Sequence, residues 1–128
     1  MKLLIDSNVF LWTAFDPSRL SNLARDVIRD RRNDLVVSLV TPIELGIAVS
    51  KRRLELPLPL HEFYLDHLAS LEAEELPILR SHALGAGTLP YAHRDPMDRI
   101  LAAQSIAEQL PLVTSDRQVA SLGVQVIW

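Results

Sequence analysis

The sequence predicts an α/β domain: a five-stranded, mainly parallel sheet covered by helices on both faces, a three-layer α/β/α sandwich. Short β-branched and leucine runs alternate with segments of helical periodicity. The runs end on Asp, Ser or Thr, which favour turns and helix caps over strand continuation. The chain has 128 residues, 48% of them apolar, and no Cys. One domain over 1–128 can bury roughly two thirds of its unfolded surface without disulfides or a structural metal.

The first strand, 2–5, stops at Asp6-Ser7-Asn8, and 9–15 is a short buried helix closed by Asp16-Pro17. Ser21 caps a second helix with Leu23, Val27 and Ile28 on one face. A second strand, 35–40, runs into Thr41-Pro42, a capping hydroxyl before a proline suited to the first helical position, and that helix ends at Lys51. Pro57 and Pro59 make 54–60 an extended connector. Helical periodicity returns over 61–72, followed by a third strand at 76–79, a short helix over 81–86 and a loop holding Gly87 and Pro90. Asp95-Pro96 opens a strong helix reaching Leu110. A fourth strand, 112–114, a short helix at 117–121 and a fifth strand, 124–128, complete the domain.

The net charge of −3 argues at first against a nucleic-acid partner, because phosphate binding rests on Lys and Arg. Of the 13 basic residues only Lys2 and Lys51 are lysines; the arginines offer a planar fork suited to phosphate. They gather as Arg29, Arg31 and Arg32, as Lys51, Arg52 and Arg53, and as Arg94 and Arg99. On charge alone such groups read as solvated helix ends. No apolar stretch is long enough to span a membrane and the N-terminus lacks a signal peptide's pattern, so a cytoplasmic protein is expected.

Four acids take equivalent places: Asp6 after the first strand, Glu44 in the helix after the second, Asp98 in the first turn of the late helix, and Asp116 after the fourth strand. In an open parallel sheet the carboxyl ends of the strands share one edge, where ligands bind. Taken singly, each acid has a structural reading. Thr41-Pro42-Ile43-Glu44 fits a capping box, Asp98 a dipole-compensating acid behind an Asp95 cap, Asp116 an N-cap, and Asp6 a turn residue. Together they gather mutually repelling charge at one edge, which calls for a cation. Oxygen ligands without Cys favour a hard divalent ion, Mg²⁺ or Mn²⁺. Such an ion can lower the pKa of a bound water and orient a phosphodiester, which is nuclease chemistry.

The remaining motifs are weaker. His61, His67, His82 and His93 lack metal-ligand spacing and read as surface or satisfied histidines, His93 being the one near the acids. No phosphate-binding glycine loop or hydrolase elbow is present, and the aromatics are too scattered for a base-stacking platform. A phospho-acceptor domain would have similar acids but also a lysine after its last strands, where neither Lys2 nor Lys51 lies.

Four blocks resemble the PIN-domain ribonucleases of the VapC toxin type: Leu3-Leu4-Ile5-Asp6-Ser7-Asn8-Val9; Val37-Ser38-Leu39-Val40-Thr41-Pro42-Ile43-Glu44-Leu45; the stretch from Leu89-Pro90-Tyr91 through His93-Arg94-Asp95-Pro96-Met97-Asp98-Arg99 to Ala102-Ala103-Gln104; and Leu112-Val113-Thr114-Ser115-Asp116. The resemblance implies a PIN-like sandwich with Mg²⁺ or Mn²⁺ held by Asp6, Glu44, Asp98 and the more variable Asp116. It implies a metal-dependent endoribonuclease acting as the toxin of a toxin–antitoxin pair, with a VapB-type antitoxin as partner and a homodimer built through the early helices. Ser7, Thr114 and Ser115 are expected to position water or phosphate, and Arg94 and Arg99 to contact RNA. The alternative is a catalytically silent member that binds RNA or protein. Ser7-Asn8 stands where many relatives have Thr-His, and Met97 where an aromatic is common.

Overall fold

The computed structural model describes residues 1–91 and 94–128; His93 lies outside the described residues. Five parallel strands, β1 (Lys2–Ile5), β2 (Asp34–Ser38), β3 (Glu74–Leu76), β4 (Leu112–Val113) and β5 (Val126–Ile127), form one sheet in the order β3-β2-β1-β4-β5. The helices are α1 (Ser7–Phe15), α2 (Asn22–Arg29), α3 (Val40–Ser50), α4 (Leu60–Ser70), α5 (Arg80–Thr88) and α6 (Pro96–Ala107), with 3₁₀ turns at Pro17–Arg19 and Arg117–Leu122. Alternate strand residues feed two cores. Leu3, Ile5, Leu35 and Val37 face Phe10, Leu45, Phe63 and Tyr64, whereas Leu4, Val36 and Leu112 face Leu101, Ala102 and Leu122. The predicted three layers are therefore present. Strand order reverses direction at the centre, between β1 and β4, and this is where an open sheet leaves a crevice at its carboxyl edge.

Several predicted boundaries move, for local reasons. α1 begins two residues earlier than predicted because Asp6 caps it, its Oδ1 accepting from Val9 N at 2.7 Å. β2 stops at Ser38, whose Oγ accepts from Val40 N at 3.0 Å, so α3 starts at Val40 and not behind a Thr41 cap. β3 lies at Glu74–Leu76 and not at 76–79, since Pro77 cannot donate to a ladder. α5 runs through Gly87 to Thr88, where a loop was expected, and α6 ends at Ala107 rather than Leu110.

Three helices end in the same way, with a non-glycine residue in the left-handed region: Arg52 (φ 57°) after α3, Glu72 (φ 51°) after α4 and Gln109 (φ 55°) after α6. At each, the next residue's amide reaches back along the helix: Arg53 N to Ala48 O at 2.9 Å, Ala73 N to Leu68 O at 3.2 Å, Leu110 N to Ser105 O at 2.9 Å. This backbone motif normally takes glycine, because a side chain there costs roughly 1 kcal/mol. Gln109→Gly is thus expected to stabilise the fold by up to about 1 kcal/mol, read as a higher denaturation midpoint at unchanged slope.

Two of the histidines are built into the interior. His67 is buried against Phe10, its Nε2 donating to Phe10 O at 3.0 Å beside Thr13 Oγ1 at 2.8 Å. Burial pushes its pKa below the ordinary 6.5, opposed by the Phe10 bond. A depressed folded pKa gives stability that is complete above about pH 6.5 and is lost as pH falls. His67→Gln should flatten the acid limb of a melting-temperature profile, and a variant retaining the wild-type acid limb would contradict this role. His82 is fully buried on the other face, in a chain that joins three elements. Ser38 Oγ donates to Gln104 Oε1 at 2.5 Å, and Gln104 Nε2 donates to Pro77 O at 3.2 Å and lies 3.4 Å from His82 Nδ1. His82 Nδ1 also accepts from Leu79 N at 3.0 Å, while Nε2 faces Glu108 Oε1 at 2.8 Å.

Candidate active site

The β1–β4 crevice gathers the acids that the sequence singles out. Asp6 leaves the end of β1 and serves two elements at once: Oδ1 caps α1, and Oδ2 accepts a short hydrogen bond from Thr114 Oγ1, which follows β4. Thr114 is buried and in turn accepts from Asp116 N at 3.0 Å. Asp116 caps the following 3₁₀ turn, Oδ1 accepting from Gln118 N at 2.9 Å. With Leu39 at the N-cap, Glu44 lies two residues beyond the position from which a capping-box acid reaches back, which removes the capping-box reading. Its Oε1 accepts instead from Ser7 Oγ at 2.8 Å, and Ser7 also contacts the buried Thr41 Oγ1 at 3.1 Å. Asp95 caps α6 through Met97 N (2.9 Å) and Asp98 N (3.3 Å), so Asp98 stands in the helix's first turn as expected.

Electrostatics ties these acids together. Burial raises the Asp6 pKa above the ordinary carboxylate range; its bonds from Thr114 and Val9 oppose this, and Asp116 adds to it. Burial likewise raises Glu44, opposed by Ser7 and reinforced by Asp98, Asp95 and Asp6. Carboxylates that raise one another's pKa gain most from a cation. Every acid of the rim offers oxygen, the chemistry of a hard divalent ion. Among the described residues no three metal-capable side chains close into a shell. What links the acids is charge, Asp116 acting on Asp6, and Asp98, Asp95 and Asp6 acting on Glu44.

The other expected site residues divide. Ser7 and Thr114 hold acids, as described, and Ser115 is exposed beside them. Arg94 is exposed with its guanidinium 5.6 Å from the Tyr91 ring centroid. Arg99, expected to contact RNA, donates to the end of α5 and the loop that follows it: to Ala86 O at 3.0 Å, Leu89 O at 2.7 Å and Pro90 O at 2.9 Å. Composition could not reveal this, because the acceptors are backbone carbonyls.

A parallel sheet of this order with acids around its central crevice defines an open α/β protein carrying an acidic, cation-inviting centre. The chain belongs to the PIN-domain family, whose model matches residues 3–124. It is similar to Ribonuclease VapC22 of Mycobacterium tuberculosis, 33% identical over 119 residues, covering 92% of this chain and 89% of that protein. Among solved structures it resembles a chain of VapBC2 from Rickettsia felis bound to a DNA fragment from its promoter, with a TM-score of 0.71, 16% identity and coverage of 98% and 97%. A chain of VapBC-5 from Mycobacterium tuberculosis, a member of the VapBC family of toxin-antitoxin systems, matches with a TM-score of 0.61, 22% identity and coverage of 98% and 94%.

Proposed function

We propose that this protein is a divalent-metal-dependent endoribonuclease and the toxin of a toxin–antitoxin pair. The observation that carries the reading is the rim of Asp6, Glu44, Asp98 and Asp116 at the β1–β4 crevice, with burial and mutual repulsion raising Asp6 and Glu44. The similarity to Ribonuclease VapC22 supports RNA as the substrate. These four acids would hold Mg²⁺ or Mn²⁺, which supplies a water of lowered pKa and neutralises charge on the phosphodiester.

The chain's own groups prepare the site. Asp6 is fixed from both sides, by the α1 amide and by Thr114, so the two central strands are locked around it. Ser7 orients Glu44 by donating to one of its carboxylate oxygens. Asp95 relieves Asp98 of capping duty by taking the first α6 amides itself. Ser115 is exposed and available to a phosphate oxygen or a water. Arg99 holds the loop that leads into α6, and Arg94 is the exposed arginine at its end.

A cognate VapB-type antitoxin and a homodimer complete the proposal, supported by the VapBC assemblies among the structural relatives. Among the described residues no helix is long and apolar enough to cross a membrane. The test is cleavage of total cellular RNA by purified protein with Mg²⁺ or Mn²⁺ and with chelator. Discrete products bearing 5′-phosphate and 3′-hydroxyl ends that vanish with chelator are expected. Cleavage that survives chelator would overturn the metal mechanism, and a protein that binds RNA without cutting it would be the silent member.

A further inference from the structure

A groove of about 420 Å³ opens beside the acid rim, between the outer face of α3 and the start of α6. Its inner end is Glu44 and Asp95, its floor is apolar, made by Ile47, Ala48, Pro96 and Met97, and its outer end is basic, with Lys51 and Arg53. We propose that this groove is the track for the single-stranded RNA flanking the scissile phosphate, the floor receiving a base and Lys51 and Arg53 holding the next phosphates. The inference rests on the nuclease reading and adds to it the residues that would position and select the substrate.

Charge and geometry both favour this occupant. Arg32, in another of the basic groups, is paired to Asp30 at 2.8 Å, whereas among the described residues neither Lys51 nor Arg53 makes an ion pair. Glu44 and Lys51 lie two turns apart on α3, about 10 Å, so a strand leaving the acid rim would meet cations after crossing the floor. The left-handed residue Arg52 turns the chain so that Arg53 N bonds back to Ala48 O, which returns Arg53 to the groove wall. Ile47 is 45% exposed although it sits between charged ends, an apolar surface suited to a base face. Arg99 is committed to backbone carbonyls, which leaves this basic end as the cationic flank of the groove.

The test compares Lys51→Gln/Arg53→Gln with the parent protein. Binding of a short fluorescent single-stranded oligoribonucleotide of mixed sequence is measured on a common Asp6→Asn background, so that the probe stays whole, and cleavage in the Asp6 protein. The double variant should bind about tenfold more weakly, and its log-affinity against log-salt slope should shrink by about 0.7 for each phosphate no longer neutralised. KM should rise with kcat nearly kept. Ile47→Asn should leave the salt slope unchanged and alter the base preference next to the cut. Unchanged slope, affinity and KM in the double variant, with normal cutting by the parent, would overturn the groove alone. Retained RNA affinity together with abolished binding of poly-glutamate would give the groove to an acidic protein segment and overturn it likewise. A parent that neither binds nor cuts RNA would overturn the nuclease reading and this inference together.

Discussion

Asp6→Asn is expected to lower RNA cleavage about a hundred- to a thousand-fold while leaving the fold intact, the scale seen when a charge-stabilising group is removed from an active site. The substitution is nearly isosteric, and Asn caps helices as well as Asp does, so Val9 N keeps its acceptor and α1 its start. What disappears is the charge at the centre of the rim, where β1 and β4 meet, and with it the second carboxylate oxygen, which accepts from Thr114 Oγ1. Burial raises the pKa of this carboxyl, so the folded metal-free protein disfavours its ionised form, and the amide removes that cost. The relief of the buried acid and the loss of the Thr114 bond oppose each other, so loss of cleavage should come with a cooperative melt near the parental temperature. Single-turnover cleavage and a thermal melt on the same preparation decide the matter. A variant that cuts at the parental rate removes Asp6 from the site, and one that unfolds makes it structural.

Gln104→Leu is expected to have the largest effect on stability, on the order of 2 to 3 kcal/mol, or about 10 °C in melting temperature. Gln104 is fully buried and is the middle link between Ser38, Pro77 O and His82. Leucine fills much the same volume but leaves the Ser38 hydroxyl without its acceptor and the Pro77 carbonyl without its donor. Orphaning the buried Ser38 hydroxyl costs about 1 to 3 kcal/mol, and the lost bond to the more exposed Pro77 carbonyl adds to it. Since Ser38 Oγ also accepts from Val40 N at the start of α3, which carries Glu44, cleavage should fall with stability in this variant. Chemical denaturation measures the loss, and an unchanged midpoint would show that the network is dispensable.

Residue order made the site more legible than the boundaries. Asp6 and Asp116 follow closely on β-branched runs, so their place at one sheet edge follows from the parallel topology alone. Glu44 and Asp98 were ambiguous because the same local patterns describe helix caps. The ambiguity ends only when α3 is seen to start at Val40, ahead of Thr41, and Asp95 to cap α6. The helix ends were hidden for a different reason: Arg52, Glu72 and Gln109 take a conformation whose usual sequence signal is glycine. β3 was misplaced because Glu74 and Glu75, at the polar edge of the sheet, break the apolar pattern that marks buried strands. The settings of Arg99 and Arg53 were equally hidden, since one reaches backbone carbonyls and the other is returned to a groove by a turn, and neither fact is written in charge.

The most direct measurement is a Mn²⁺ titration of the parent protein and of Asp6→Asn, Glu44→Gln, Asp98→Asn and Asp116→Asn at neutral pH, with free Mn²⁺ read by its paramagnetic signal. A saturable site is expected in the parent, weakened about tenfold or more by each amide, least by Asp116→Asn, and lost on acidification because the ligands must be deprotonated. Mn²⁺ affinity unchanged by all four substitutions would contradict a single cation centre at this rim.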